Sequence, residues 1–192
     1  MPNKALLSAL LALPLAGCIS LGAEPPEQLL TLTAAQTAPA GSATSGDPAS
    51  ALAVLEPGAD QRLDVTRVPV QVSDSSLAYL KDAVWVEKPA RLFQNLVAET
   101  IRARGNRLVV SEGDLSQSAV ATLSGRLLDM GYDVATGSVV VGFDAVLQLP
   151  EGQVRTRRFE SRVPAAVTAE GVAPALNQAA NDVAGQVAEW VG

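Results

Sequence analysis

Few residues in this chain are equipped for chemistry. The sequence has one cysteine, Cys18 in the run Leu15-Ala16-Gly17-Cys18, and no histidine. Without histidine, Ser-His-Asp and Cys-His nucleophilic catalysis, imidazole bases and most zinc sites are removed together. No P-loop is present, nor a Gly-x-Gly-x-x-Gly after a strand. The carboxylate pairs Glu112/Asp114 and Asp129/Asp133 could move protons or hold calcium. Both fall near turns and lack the density of oxygen ligands that calcium takes, so solvated carboxylates are expected. Arg155, Arg157, Arg158 and Arg162 form the one basic cluster, suited to lipid phosphate or an acidic protein partner. Because they alternate with Phe159 and Val163, the expectation is a two-faced strand whose arginines pair with carboxylates on neighbouring strands and guard an edge. No catalytic, cofactor-binding or metal-binding residue is therefore expected, and no enzyme. Among the aromatics, Phe93 and Trp190 are assigned to the core. Tyr79 and Trp85, with Arg158 and Arg162, stay open as contacts to a partner or a lipid.

Cys18 closes an N-terminal segment with Lys4 followed by an apolar stretch from Ala5 to Leu15. That layout is a secretory signal peptide over 1–17, too short for a membrane span of about 20 residues. Cys18 is then either a free thiol, half of an intermolecular disulfide, or a modified residue. Leu15-Ala16-Gly17-Cys18 resembles a bacterial lipobox, and this alternative is preferred. The resemblance implies that Cys18 becomes the mature N-terminus and carries acyl chains such as palmitate. With Ile19 rather than aspartate next, similarity to lipoproteins of double-membraned bacteria implies the outer membrane, periplasmic face. The chain carries a formal net charge of −6, and losing Lys4 with the leader makes it more negative. Such a domain is not expected to bind nucleic acid or to spread on anionic lipid by charge.

Residues 18–27 form a tether with Pro25-Pro26, reaching a few tens of Å at about 3.1 Å per residue. Residues 28–192 are expected to be one domain, with a flexible Ala/Ser/Gly/Pro-rich segment at about 34–50. Leu29 to Thr33 is expected to be a first strand, and Leu52 to Glu56 a short apolar run ended by a Pro57-Gly58 turn. Arg62 to Val72 switches parity near Thr66-Arg67, which suggests a bulge, and Pro69 implies a sheet edge or a non-bonded position. Ser75 to Val86 leads into a helix opened by Pro89 and stopped by Gly105, with Leu92, Phe93, Leu96, Val97 and Ile101 on one face. Arg107 to Ser111 and Ala119 to Met130 are strands. Ser138 to Leu149 and Val154 to Val163 continue an antiparallel meander through turns at Ala135-Thr136-Gly137 and Pro150-Glu151-Gly152. A second helix is expected from about Pro174 to Val191. The fold class is α+β, a single domain with a largely antiparallel or mixed sheet and two main helices packed on it.

The stretch from Tyr79 to Ile101 resembles the ABC-type transport auxiliary lipoprotein component family, the lipoprotein partner of MCE-type lipid transport systems. The order of motifs carries the resemblance: the lipobox, Leu-Thr-Leu-Thr at 30–33, Val-Pro-Val-Gln-Val at 68–72, the Tyr-Leu segment, the meander, and a last helix with Trp190. It implies a non-enzymatic accessory to transport of phospholipid or other hydrophobic molecules. Its partner would be a periplasmic MCE-domain protein of an ABC transporter, and self-association stays open. A structural or envelope-assembly lipoprotein that binds protein or peptidoglycan is the competing class.

Overall fold

The computed structural model describes residues 28–46, 51–105, 107–110 and 121–192. The elements follow in the order β1 (Leu52–Val54), β2 (Gly58–Ala59), β3 (Arg67–Ser73), β4 (Ser76–Val84), α1 (Pro89–Arg104), β5 (Val109–Val110), β6 (Ala121–Asp133), β7 (Ser138–Gln148), β8 (Val154–Pro164) and α2 (Ala169–Val191). They make one mixed sheet with two helices on it, the α+β class expected from the pattern.

β6 is the axis of the sheet. One side of it pairs antiparallel with β7 from Thr122–Gln148 to Asp133–Ser138, and β7 pairs likewise with β8. The other side is shared in succession by β1, β2 and β3, all parallel to it. β5 then adds parallel to β1, and β4 antiparallel to β3, so the sheet forks beyond β6. Parallel neighbours need a long crossover, and α1 lies within the one between β1 and β5.

The core fills the face toward the helices. Val139, Val141, Phe143, Ala145 and Leu147 of β7 are buried there. Phe143 meets Phe93 of α1 edge-on at 5.2 Å, while Phe159, its register partner on β8, meets Trp190 of α2 at 5.7 Å. Since those rings come from different helices, both helices cover this one face. Alanines 175, 179, 180, 184 and 188 are buried along α2 and let it approach closely.

α1 forms where expected. Pro89 needs no N–H partner in the first turn, and Gly105 adopts φ 68° to return its N–H to the Arg102 carbonyl. α2 starts earlier than expected. Thr168 caps it by accepting from the Gly171 N–H, so Pro174 lies inside the helix rather than opening it. The carbonyl it leaves unbonded belongs to exposed Glu170, where water can serve it.

Three other expectations are corrected. Leu29 to Thr33 is not a strand: Leu30 makes one parallel bridge with Trp85, through Leu30 N–H to Val84 O and Val86 N–H to Leu30 O. Beyond it the backbone is satisfied by side chains of α2 instead of by a strand. Asn177 Oδ1 accepts from Thr33 N–H at 2.8 Å and Asn181 Oδ1 from Ala35 N–H at 2.7 Å, while Asn181 Nδ2 donates to Thr33 O. Glu99 of α1 accepts from Ala38 N–H, so part of the Ala/Ser/Gly/Pro-rich segment is strapped over the helices; its residues 47–50 lie outside the described ones. Asn181→Ala is expected to cost about 1–2 kcal/mol and to open residues 34–46 to limited proteolysis. An unchanged cleavage pattern would show that the strap does not depend on this side chain.

Gly58 does not turn the chain but continues along β6 as β2. Arg62 to Thr66 is a turn holding Leu63 in the core, and the bulge sits elsewhere. Arg67 lies opposite Val84 and Pro69 opposite Tyr79, so the extra residues belong to β4, where Asp82 takes φ 60°. β3 is an internal strand, but Pro69 stands just before its pairing with β6 begins at Val70, in keeping with the non-bonded position expected as the alternative to an edge.

Candidate functional site

The helix-free face of the sheet carries most of the charged candidates. Its floor is small, with Gly131 and Gly142 facing neighbours across the β6–β7–β8 registers, and charges stand around it. Arg158 lies opposite Asp144 in register, and its Nε and Nη2 donate to the two carboxylate oxygens at 2.6 Å each. This two-pronged geometry is the strong form of an arginine–carboxylate contact. The hydrogen bond from Arg158 holds the Asp144 carboxyl below its ordinary range and raises the Arg158 guanidinium in turn. Arg162 donates to Glu160 at 2.8 Å and lies 3.6 Å from Asp133; the Glu160 hydrogen bond chiefly raises its pKa. Arg62 donates to Asp129 at 2.6 Å and to the Leu128 carbonyl, and Arg126 pairs with Asp60.

Of the carboxylates singled out by spacing, Asp129 and Asp133 are thus committed. Asp129 holds Arg62, and Asp133 accepts from Ala135 N–H and Thr136 Oγ1 within the β6–β7 turn. Glu112 and Asp114 lie outside the described residues, as do Leu15, Ala16, Gly17 and Cys18. Among the described residues no cluster of three or more metal-ligating side chains occurs, and no helix is long and apolar enough to cross a membrane. A hollow of about 100 Å³ between Arg62, Pro69, Asp129, Gly131 and Arg162 falls short of the roughly 300 Å³ at which small-molecule pockets begin. Arg62, Arg126, Arg158 and Arg162 of this face are each held in an ion pair with a carboxylate.

The open aromatic and arginine candidates separate. Trp85 is 2 % exposed, and its Nε1 has no hydrogen-bond partner, so it is core. Tyr79 shares the helix-free face through its pairing with Pro69 and is half-buried under the Arg67 guanidinium, 3.9 Å from the ring centre. Arg158 and Arg162 are occupied by carboxylates, as an edge-guarding strand requires. Arg155 and Arg157 point the other way: they lie 5.3 Å over Trp190 and 5.0 Å over Phe159, on the side toward α2. Strand parity alone, with Arg157 and Phe159 two apart, could have separated these two from Arg158 and Arg162.

The Asp144–Arg158 pair has a testable acid limb. A depressed carboxyl contributes stability that is present above its unfolded pKa, about 3.9, and is lost as pH falls through the lower folded value. Because the pair is exposed, the effect is small. Asp144→Asn should leave the urea midpoint at pH 7 nearly unchanged and flatten the decline below about pH 4. A decline equally steep in the variant would assign the acid limb to other carboxylates.

Comparison with known proteins places this arrangement. The domain is similar in fold to protein XCC0632 of Xanthomonas campestris, with a TM-score of 0.71 at 19% identity, covering 85% of this chain and 93% of that one. It is also similar to a second, uncharacterized protein of known crystal structure, with a TM-score of 0.63 at 16% identity, covering 74% of this chain and 93% of the other. No curated protein matches it at significant similarity. The family model for the ABC-type transport auxiliary lipoprotein component matches residues 30–188, from the Leu30 bridge to the last turns of α2. Since that match takes in the whole forked sheet and both helices, the chain belongs to the ABC-type transport auxiliary lipoprotein component family.

Proposed function

We propose that the protein is a non-enzymatic accessory of an ABC-type transport system, held by acylated Cys18 at the periplasmic face of the outer membrane. It docks onto a periplasmic MCE-domain protein that moves phospholipid or a similar hydrophobic molecule between membranes. The family match over residues 30–188 carries this reading. The Leu15 to Cys18 run supports the anchor, and the missing P-loop is consistent with an ATPase supplied by another chain. Residues 1–17 act as the signal peptide, 18–27 as tether and 28–192 as the working domain.

The alternative is a structural or envelope-assembly lipoprotein that binds protein or peptidoglycan. The helix-free face favours it in one respect, because Arg158 and Arg162 are already paired with carboxylates of the same face. Affinity capture of the lipidated protein from native envelopes separates the two. Transport predicts co-purification of an MCE-domain protein with its permease and ATPase, and phospholipid in the eluate. Recovery of peptidoglycan or assembly proteins without them would replace the transport reading by the alternative.

A further inference from the structure

β8 ends the sheet on its side. Among the described residues it pairs with β7 alone, over the full run Val154–Pro164, so the backbone groups along its outer edge have no strand partner. Exposed edges of this length invite a further strand, and charged residues normally prevent it. Here the guarding charges are divided. Arg158 and Arg162 are neutralised by Asp144, Glu160 and Asp133 on the helix-free face. Arg155 and Arg157, on the opposite face of the same strand, are exposed, and among the described residues neither forms an ion pair with a carboxylate. Each guanidinium rests over a ring, Trp190 or Phe159, which fixes the side chain by a cation–π contact and leaves its N–H groups available.

We propose that the β8 edge is a docking site for an extended acidic segment of a partner protein, added as a strand beside β8. Arg155 and Arg157 are two residues apart, about 6.8 Å along a strand. Carboxylates at alternate positions of an added strand recur at the same interval, so one segment satisfies the backbone edge and both arginines in register. Main-chain bonds then supply affinity and the two arginines supply selection by charge. Lipid headgroups can meet the arginines but offer no ladder of N–H and C=O groups to pair with the open edge of β8. A protein segment therefore fits better. The inference stands on the edge itself and does not depend on which cargo, if any, the system carries.

The test uses the full-length protein in detergent micelles and a fluorescent eleven-residue peptide of alternating Val and Glu. Binding is expected by anisotropy, with protection of β8 amides from hydrogen exchange. A Gln-for-Glu peptide and the Arg155→Gln/Arg157→Gln protein should each bind at least about tenfold more weakly. A peptide with proline at alternate positions, which cannot complete the ladder, should not bind. Both arginines are exposed, so an unchanged melting curve would establish that the double variant is folded. Equal binding by the double variant would overturn the proposal. So would preferential binding to phosphatidylglycerol vesicles, or self-association through β8 without peptide capture.

Discussion

Cys18→Ala will move the protein from the membrane to the soluble fraction of the periplasm while leaving the domain folded. The expectation follows from the acyl anchor proposed for Cys18. Each buried methylene of an acyl chain contributes about 0.8 kcal/mol, so several chains on one residue hold stably where a single one is marginal. The domain offers little to replace them. Its formal net charge is −6, no described helix is apolar enough to span a bilayer, and the helix-free face is paired charge. Melting temperature and circular dichroism should match those of the parent, since Cys18 precedes the family-matched region, residues 30–188. Fractionation reads the first half of the result and thermal unfolding the second. If transport in cells requires position at the outer membrane, it is lost together with the anchor. A soluble Cys18→Ala protein with full transport would show that the anchor is incidental, and continued membrane association of a variant shown by its mass to have lost residues 1–17 would show that a surface of the domain binds lipid by itself.

What the sequence could show about this fold was set by local periodicity. α1 was legible from both ends because Pro89, the apolar stripe and Gly105 are signals confined to one element. β7 was legible because Val139 to Leu147 alternate over a continuous pairing on both sides. The short strands β1, β2 and β5 owe their state to parallel partners far away in the chain, and two or three residues contain too little pattern to announce that. The Leu30 bridge misled for the opposite reason. Its Leu-Thr alternation is strand-like, but two asparagines on α2 supply the partners that a sheet would have given. In β4 the extra residues are invisible because Asp82, not glycine, takes the positive φ. The charged face was half legible. The arginines were plain, but which of them faced a carboxylate depended on Asp144 arriving opposite Arg158, a matter of register between strands joined through a turn. Family membership rested on the order of weak motifs rather than on any one of them, and a match spanning 30–188 is what such an order produces.

Gly125→Ala should be among the most damaging single substitutions in the domain. Gly125 lies in the middle of β6 opposite Ala145, with φ 152°, a conformation that side chains resist. A Cβ built there would stand 2.0 Å from the Asp144 carbonyl oxygen and 2.8 to 2.9 Å from two atoms of the Phe143 ring. The first neighbour is backbone and cannot swing away. Relief therefore requires β6 and β7 to part, at the point where Phe143 is held between Phe93 and its partner Phe159. Overpacking of this kind, added to backbone strain, is expected to cost about 4 kcal/mol or more, a large part of the roughly 5–15 kcal/mol that holds a typical domain together. Gly137→Ala is the control: Gly137 also has a positive φ, 62°, but nothing lies within 4 Å of its missing Cβ. Strain alone should cost it about 1–2 kcal/mol. Urea unfolding of both variants therefore distinguishes crowding from conformation. Equal losses in the two would mean that the β6–β7 contact yields easily, and that the close approach at Gly125 does not set the position of Phe143.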